Sequence, residues 1–308
     1  MAESLPRPAT AVVREAVSRL LFSITMPAYN ASTTIAEAIG SVLAQTHSDW
    51  ELVIVDDGSR DATAAIAHSY ADRDARIHVI RQANLGCGPA RGVAIEHSAG
   101  DFICRLDADD FYVPDYLEAQ RQFINDHPGF DIYACNGWRL FTDGRRRSYH
   151  EGPRFRRVFS LTLDDLLRES LIFTMAVFRR RVYDLAGGMR PEVYCEDYDF
   201  WLRAMCAGAT HIYNPRPLSV YRDSDTQMTA DVVRMHECQI AILGDILGSG
   251  RLTPAQERIA RHSISLLGHN VRFRRRALRL LGPALADRLF RFAHRMAWII
   301  RPYRLRRR

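Results

Sequence analysis

No stretch of this 308-residue chain approaches the roughly 18 uninterrupted apolar residues that a membrane-spanning helix needs. Residues 1–20 lack the apolar core and small-residue cleavage site of a secretory leader, and Glu3, Arg7, Arg14 and Glu15 are scattered through them. The expectation is a protein made and kept in the cytoplasm. The six cysteines (Cys87, Cys104, Cys135, Cys195, Cys206, Cys238) are far apart and form no C-x-x-C pair. That spacing argues against zinc and, in a cytosolic chain, against disulfides. They read as small buried hydrophobes. Internal repeats are absent, as is any low-complexity segment outside the arginine-rich C-terminus.

What is present is enough for a large core. Hydrophobic residues make up 47% of the chain, sufficient for one large α/β domain with an extension, or for two domains. The net charge of +6 hides an asymmetry. Thirteen arginines and one acid, Asp287, give residues 271–308 a charge of +12, which leaves −6 for residues 1–270. The body is acidic and the tail strongly basic.

Residues 21–26 form an apolar strand that Pro27 is expected to stop. Ile35, Ala38, Ile39, Val42 and Leu43 recur at helical spacing after a capping segment, Asn30 to Thr34. A β-branched strand from Glu51 runs into the acidic turn Asp56-Asp57-Gly58-Ser59. A helix over 61–70, a strand over 76–80, a helix over 89–98 and a strand over 100–106 follow. This alternation predicts a parallel sheet covered on both faces, with ligands bound at the carboxyl ends of the strands. Tyr29, Asp57 and Asp107–Asp109 all fall there.

Beyond Phe111 the pattern loosens. Helices are expected over 114–125, 161–168 and 195–208, strands over 131–141 and 171–178, and a basic loop over 144–157. A Gly187-Gly188 turn precedes the last helix.

Arg105-Leu-Asp-Ala-Asp-Asp110 places three carboxylates within four positions at the end of a strand. Their mutual repulsion is costly without a cation, and hard oxygen ligands suit Mg²⁺ or Mn²⁺ beside a phosphorylated ligand. The bland alternative is a solvated acidic turn.

Taken in order, M-P-A-Y-N (26–30), V-D-D-G-S (55–59), N-L-G-C-G-P-A-R (84–91), L-D-A-D-D (106–110), G-G-M-R-P (187–191) and E-D-Y-D-F-W-L-R (196–203) resemble glycosyltransferase family 2. The resemblance covers about 21–225. It implies a GT-A nucleotide-diphospho-sugar transferase fold: Rossmann-like α/β, a mostly parallel sheet with helices on both faces. It also implies inverting, metal-dependent transfer of one sugar from a nucleoside diphosphate donor to a hydroxyl. Pro27, Tyr29, Asp57, Arg91, Asp107 and Ala108 would then surround the donor, with Tyr29 against the base and Asp57 accepting from a ring N–H. Asp109 would be the direct metal ligand, Asp107 would support donor and metal, and Asp110 would stand behind them. The resemblance puts the catalytic base on Asp197, with Glu196 positioning or tuning it. UDP is the leading donor nucleotide, with dTDP and GDP open, and a saccharide or lipid-linked acceptor is implied.

Two features depart from the family pattern. The histidine common a few residues beyond a Tyr-Arg pair is replaced here by Ser224, leaving Asp223 or Asp225 as substitutes. The Q-x-x-R-W signature of processive synthases is absent, which points to one sugar per encounter. Two rival functions remain. Gly86-x-Gly88-x-x-x-Gly92 with Asp107 approximates a dinucleotide fingerprint and an NAD(P)-dependent oxidoreductase, although Arg91 occupies the third glycine position. A non-catalytic nucleotide-sugar-binding module on the same fold is the other.

The expected organisation is an N-terminal extension (1–20), a transferase domain (21–225) and a helical arginine-rich extension (226–308). Beyond Pro283, Leu285, Leu289, Phe292, Met296, Ile299 and Ile300 fall on one helical face, and Arg288, Arg291, His294 and Arg295 on the other. With the flanking arginines, residues 271–308 suit an anionic membrane surface, which would make the protein peripheral on the inner face of the cytoplasmic membrane. A helix docked on the enzyme or pairing two subunits is the alternative; nucleic acid is not expected, for want of a recognisable binding module.

Overall fold

A computed structural model of the chain describes residues 20–172, 175–191, 193–224 and 231–304; for 283, 284 and 286–304 it gives backbone only. The first half alternates as the hydrophobic pattern predicts. Strands β1 (Phe22–Ala28), β2 (Trp50–Asp56), β3 (Ile77–Arg81) and β4 (Phe102–Arg105) are separated by helices α1 (Ile35–Leu43), α2 (Thr63–Ala71) and α3 (Cys87–Glu96). These four strands are parallel, in the order β3-β2-β1-β4. Strand β2 shows why the run is apolar on both faces. Leu52 and Ile54 enter the core beneath α1 and α2, while Val53 and Val55 pack with Ala90 and Ala94 of α3 on the other side.

Pro27 does not stop β1, which continues to Ala28. Pairing with β4 ends at Thr25↔Arg105, so Pro27 lies beyond that ladder and its missing N–H breaks no bond to β4.

The second half is less regular and completes the same sheet. It comprises β5 (Phe111–Tyr112), α4 (Tyr116–Asp126), β6 (Ile132–Leu140), β7 (Arg146–Ser148), a 3-10 turn (Pro153–Arg156), α5 (Leu163–Arg168), β8 (Val177–Arg179), α6 (Arg181–Ala186), α7 (Glu196–Cys206) and β9 (His211–Arg222). The sheet continues as β4-β8-β6-β9-β5, with β7 beside β6. β8 is antiparallel to β4 and β6, β9 is parallel to β6, and β5 is antiparallel to β9. Among the described residues six strands therefore run one way and β5, β7 and β8 the other, giving a mostly parallel sheet.

Three expectations need correction. The basic loop over 144–157 contains β7 and the 3-10 turn, because Arg146–Ser148 pairs with the outer end of β6. The strand expected over 171–178 is only Val177–Arg179, since apolar Leu171 and Ile172 join the core from irregular backbone. Strand β9, a long element with two register shifts against β6, has no expected counterpart; Pro215 and Pro217 mask its alternation.

The C-terminal helices α8 (Val232–Gly248) and α9 (Pro254–Arg304) share the core of the second half. Ile242, Leu243, Ile246, Leu252 and Ala260 join Phe200 and Trp201 of α7 in one cluster. Gly282 (φ 72°, ψ 164°) breaks α9 one residue before Pro283. The amphipathic pattern expected over 285–300 lies outside the described side chains, except for exposed Leu285.

Candidate active site

Three loops meet at the carboxyl ends of β1, β2 and β3. The Asp57 amide donates to the Ala28 carbonyl (2.8 Å), joining the first two. Asn30, with φ 50°, accepts from the Arg60 amide through Oδ1, and its own amide donates to Ser59 Oγ. These bonds hold the turn that leaves Tyr29 48% exposed, beside buried Pro27. Gly58 (φ +75°) has no room for a side chain, since a Cβ would sit 3.0 Å from the Asn84 amide nitrogen.

Asp57 is buried, and its carboxylate organises the third loop. Oδ1 accepts from the Leu85 amide (2.9 Å) and Gln82 Nε2 (2.7 Å), and Oδ2 from the Gly86 amide (2.8 Å). Asp57 thus sets the entry to α3, a structural task in addition to the expected contact with the base.

The D-A-D-D turn follows β4 and is tied down from two sides. The Leu106 amide donates to the Thr25 carbonyl (3.2 Å). From the end of β9, the Arg222 amide donates to Asp110 Oδ1 (2.8 Å) and Arg222 Nε to the Asp109 carbonyl (3.0 Å). Ala108 is buried, so the acids on either side of it are displayed differently. Asp107 pairs with Arg91 Nη2 at 2.5 Å, and that guanidinium holds its carboxyl below the usual range despite burial. Asp109 has no paired cation among the described residues; burial and the neighbouring Asp107 charge push it up to about 6. Burial and both neighbouring carboxylates push Asp110 well up, and its Oδ2 is buried without a partner.

Across the cleft, Glu196 and Asp197 open α7. Gly88 lets α3 come close, because a Cβ there would lie 3.3 Å from Glu196 Cβ and 3.2 Å from the Arg190 carbonyl. Glu196 Oε1 is 3.0 Å from Arg105 Nη2 and 3.8 Å from Arg91 Nη2. Burial, then the Asp197 charge, raises its pKa against the pull of both arginines; the Asp107 charge also acts on it. Asp197 Oδ1 accepts from the Tyr198 amide (2.7 Å).

Tyr149 joins the two halves. Burial, then the charges of Asp197, Asp110 and Asp223, push its hydroxyl up to about 12. Its ring meets Tyr221 edge-on at 5.6 Å. Sequence reasoning missed Tyr149 because it sits in the arginine-rich segment with no motif around it.

Trp201 and Arg203 are both buried. Trp201 packs with Phe178 and Phe200 in the core of the second half. Arg203 pairs with Asp199 and donates to the Ala186 and Gly188 carbonyls, fixing the Gly-Gly turn.

A divalent ion fits this donor set. Asp109 is a half-buried carboxylate with no paired cation among the described residues, and Asp110 Oδ2 is buried without a donor. No three His, Cys, Asp or Glu residues converge as a cage among the described residues, so an ion held by Asp109 would need its other ligands from phosphate and water, as Mg²⁺ commonly does. Asp223 is committed to Arg139 (2.6 Å), and Asp225 lies outside the described residues. The dinucleotide alternative loses ground, because Arg91 at the third glycine position is buried and engages the acid that would bind ribose.

The curled α/β sheet and carboxylate-lined cleft define a GT-A type of transferase fold. The family model described as glycosyl transferase family 2 matches residues 23–185. The chain belongs to that family. The uncharacterized glycosyltransferase RT0329 of Rickettsia typhi is 31% identical over 71% of this chain and 65% of that protein, just under two thirds of its length. The putative teichuronic acid biosynthesis glycosyltransferase TuaG of Bacillus subtilis is 32% identical over 66% of this chain and 79% of that protein. S. aureus TarS 1-349, solved with UDP-GlcNAc, shares the fold with TM-score 0.65 at 21% identity, over 80% of this chain and 72% of that one. The mannosyltransferase PcManGT of Pyrobaculum calidifontis, solved with GDP-Man and Mn²⁺, gives 0.64 at 18% identity, over 93% and 83%.

Proposed function

We propose that the chain is an inverting, metal-dependent glycosyltransferase that moves one sugar per encounter from a nucleoside diphosphate sugar to an acceptor hydroxyl. The observation that carries this reading is the shared cleft. Asp107, Asp109 and Asp110 follow one strand, Glu196 and Asp197 open a distant helix, and the Arg91 guanidinium bridges the two groups, 2.5 Å from Asp107 and 3.8 Å from Glu196.

Tyr29 lies against the base and the Asp57 loop flanks it. Asp109 would hold Mg²⁺ or Mn²⁺, with Asp107 supporting donor and ion; such an ion would supply positive charge to stabilise the leaving diphosphate. Asp197 accepts the proton of the acceptor hydroxyl as it attacks. Inversion follows from a single displacement, which needs no nucleophilic Ser or Cys. UDP is the leading donor nucleotide, with dTDP and GDP as competitors. The likeness to TuaG favours an acceptor in cell-surface polysaccharide or glycolipid synthesis.

No described helix is long and apolar enough to cross a membrane. Leu266, Leu280, Leu281 and Leu285 of α9 are exposed, and no acid occurs from Arg258 to Ala286. These features support peripheral contact with an anionic membrane, where a lipid-linked acceptor would reside.

The test is thermal stabilisation by UDP-, dTDP- and GDP-sugars, each with and without Mn²⁺. One nucleotide series should raise the unfolding midpoint only when metal is present. Stabilisation by NAD(H) alone would replace this reading with the oxidoreductase.

A further inference from the structure

The last residue of β4 is an arginine where an apolar side chain would pack. Ile103, two residues earlier on the same face, is fully buried in the core that α7 covers. Arg105 is only 2% exposed, and its guanidinium lies 5.5 Å from the Trp201 ring centroid. Nη2 meets Glu196 Oε1 at 3.0 Å, while Nε and Nη1 are buried without partners. Glu196 is the one anion paired with this side chain among the described residues.

Such a pair does little for stability. Desolvation of two buried charges largely cancels their attraction, and apolar replacement of both partners is often neutral or stabilising, whereas removing one leaves the other charge buried and unpaired. What a buried pair can supply is orientation. Here Arg91, Arg105, Asp107 and Glu196 form a balanced set of two cations and two carboxylates. The set ties the end of β4 and the D-A-D turn to the first turn of α7. Glu196 Oε1 faces both guanidinium groups, whereas Asp197 has no ion pair with an arginine among the described residues and accepts from the Tyr198 amide.

We propose that Arg105 is a positioning residue for sugar transfer. Through Glu196 it sets the rotation of the first turn of α7, and with it the point at which the Asp197 carboxylate meets the acceptor oxygen. This rests on Asp197 being the base.

The experiment compares the full chain with Arg105→Met, Arg105→Lys, Glu196→Gln and Asp197→Asn. Affinity for UDP with Mn²⁺ is measured by calorimetry. Turnover is read as nucleoside diphosphate release from UDP-GlcNAc or GDP-mannose. Arg105→Met should lower the unfolding midpoint, because it takes the nearest cation from buried Glu196, but should leave the UDP affinity of the folded protein within about threefold while turnover falls roughly 10- to 100-fold. Arg105→Lys should recover part of that loss. Adding Glu196→Gln to Arg105→Met should cost no more than about twofold further, because both act through one contact. Turnover within threefold of the parent, equal losses of affinity and turnover, or additive losses in the double variant would each overturn the proposal. If Arg105→Met does not fold, Glu196→Gln decides: selective loss of turnover supports the link, and unchanged turnover ends it. Full turnover in Asp197→Asn would instead remove the base assignment, a failure distinct from an unaffected Arg105→Met.

Discussion

Arg222, the last residue of β9, donates through Nε to the carbonyl of Asp109 at 3.0 Å. Its amide also holds Asp110 Oδ1, and its Nη2 reaches Glu37 of α1. A residue more than a hundred positions away thus sets the backbone from which the carboxylate proposed to hold the metal projects. Replacing Arg222 with Ala should weaken Mn²⁺-dependent UDP binding about tenfold, in line with the roughly 1.5 kcal/mol expected of a charge-assisted hydrogen bond. Calorimetry with and without Mn²⁺ checks this, because the metal-free affinity should change little.

Asp197→Asn keeps the shape of the side chain and its bond to the Tyr198 amide while removing the proposed base. Turnover should fall at least about 100-fold, the usual range for loss of general base catalysis. Binding of UDP with Mn²⁺ should stay within about twofold. Loss of donor affinity with residual turnover would contradict the assigned role.

Asp57→Ala removes the acceptor for two backbone amides and the Gln82 side chain. The three donors lie on exposed or half-buried residues that water can partly satisfy, so a total loss of about 1–3 kcal/mol is expected before any effect on the sugar donor is counted. Chemical denaturation measures it. Asp57→Asn should recover part of the stability, since its amide oxygen still accepts.

His211 and His150 make the fold sensitive to acid. Burial pushes His211 down to about 3 and His150 down to about 4. His211 Nδ1 accepts from the Leu161 amide, which requires a neutral ring with its proton on Nε2. Both values lie below the ordinary 6.5, so the stabilisation is complete above that pH and is lost as pH falls toward 4. At pH 5 the loss is about 2 kcal/mol for each ring. Unfolding midpoints at pH 7.5 and 5.0 should differ accordingly, and His211→Gln should shrink the difference.

If α9 meets an anionic membrane, the chain should float with phosphatidylglycerol vesicles at low salt and be released as salt screens the arginines. Leu280→Glu with Leu281→Glu should abolish flotation while leaving turnover of a soluble donor unchanged. Equal flotation with and without residues 271–308 would end the idea.

Much of the first half was legible because its strands are apolar on both faces and its helices carry regular apolar spacing. β2 and α1 show this directly. Motif order was equally readable, so Asp57, the D-A-D-D turn and Glu196-Asp197 could be named in advance. β9 was not, because its prolines and polar residues hide a strand stabilised by pairing with β6. Tyr149 escaped for a similar reason, since its significance lies in which acids surround it.

By itself, the order of residues determined where carboxylates end strands and open a helix, because turn chemistry and hydrophobic periodicity are local. Only the folded chain decided which charges neighbour one another. Arg91 meets Asp107, Arg105 meets Glu196, and Arg222 meets Asp109 across separations of 16, 91 and 113 residues. Electrostatic energy depends on distance in space and on burial, and neither can be read from position along the polymer.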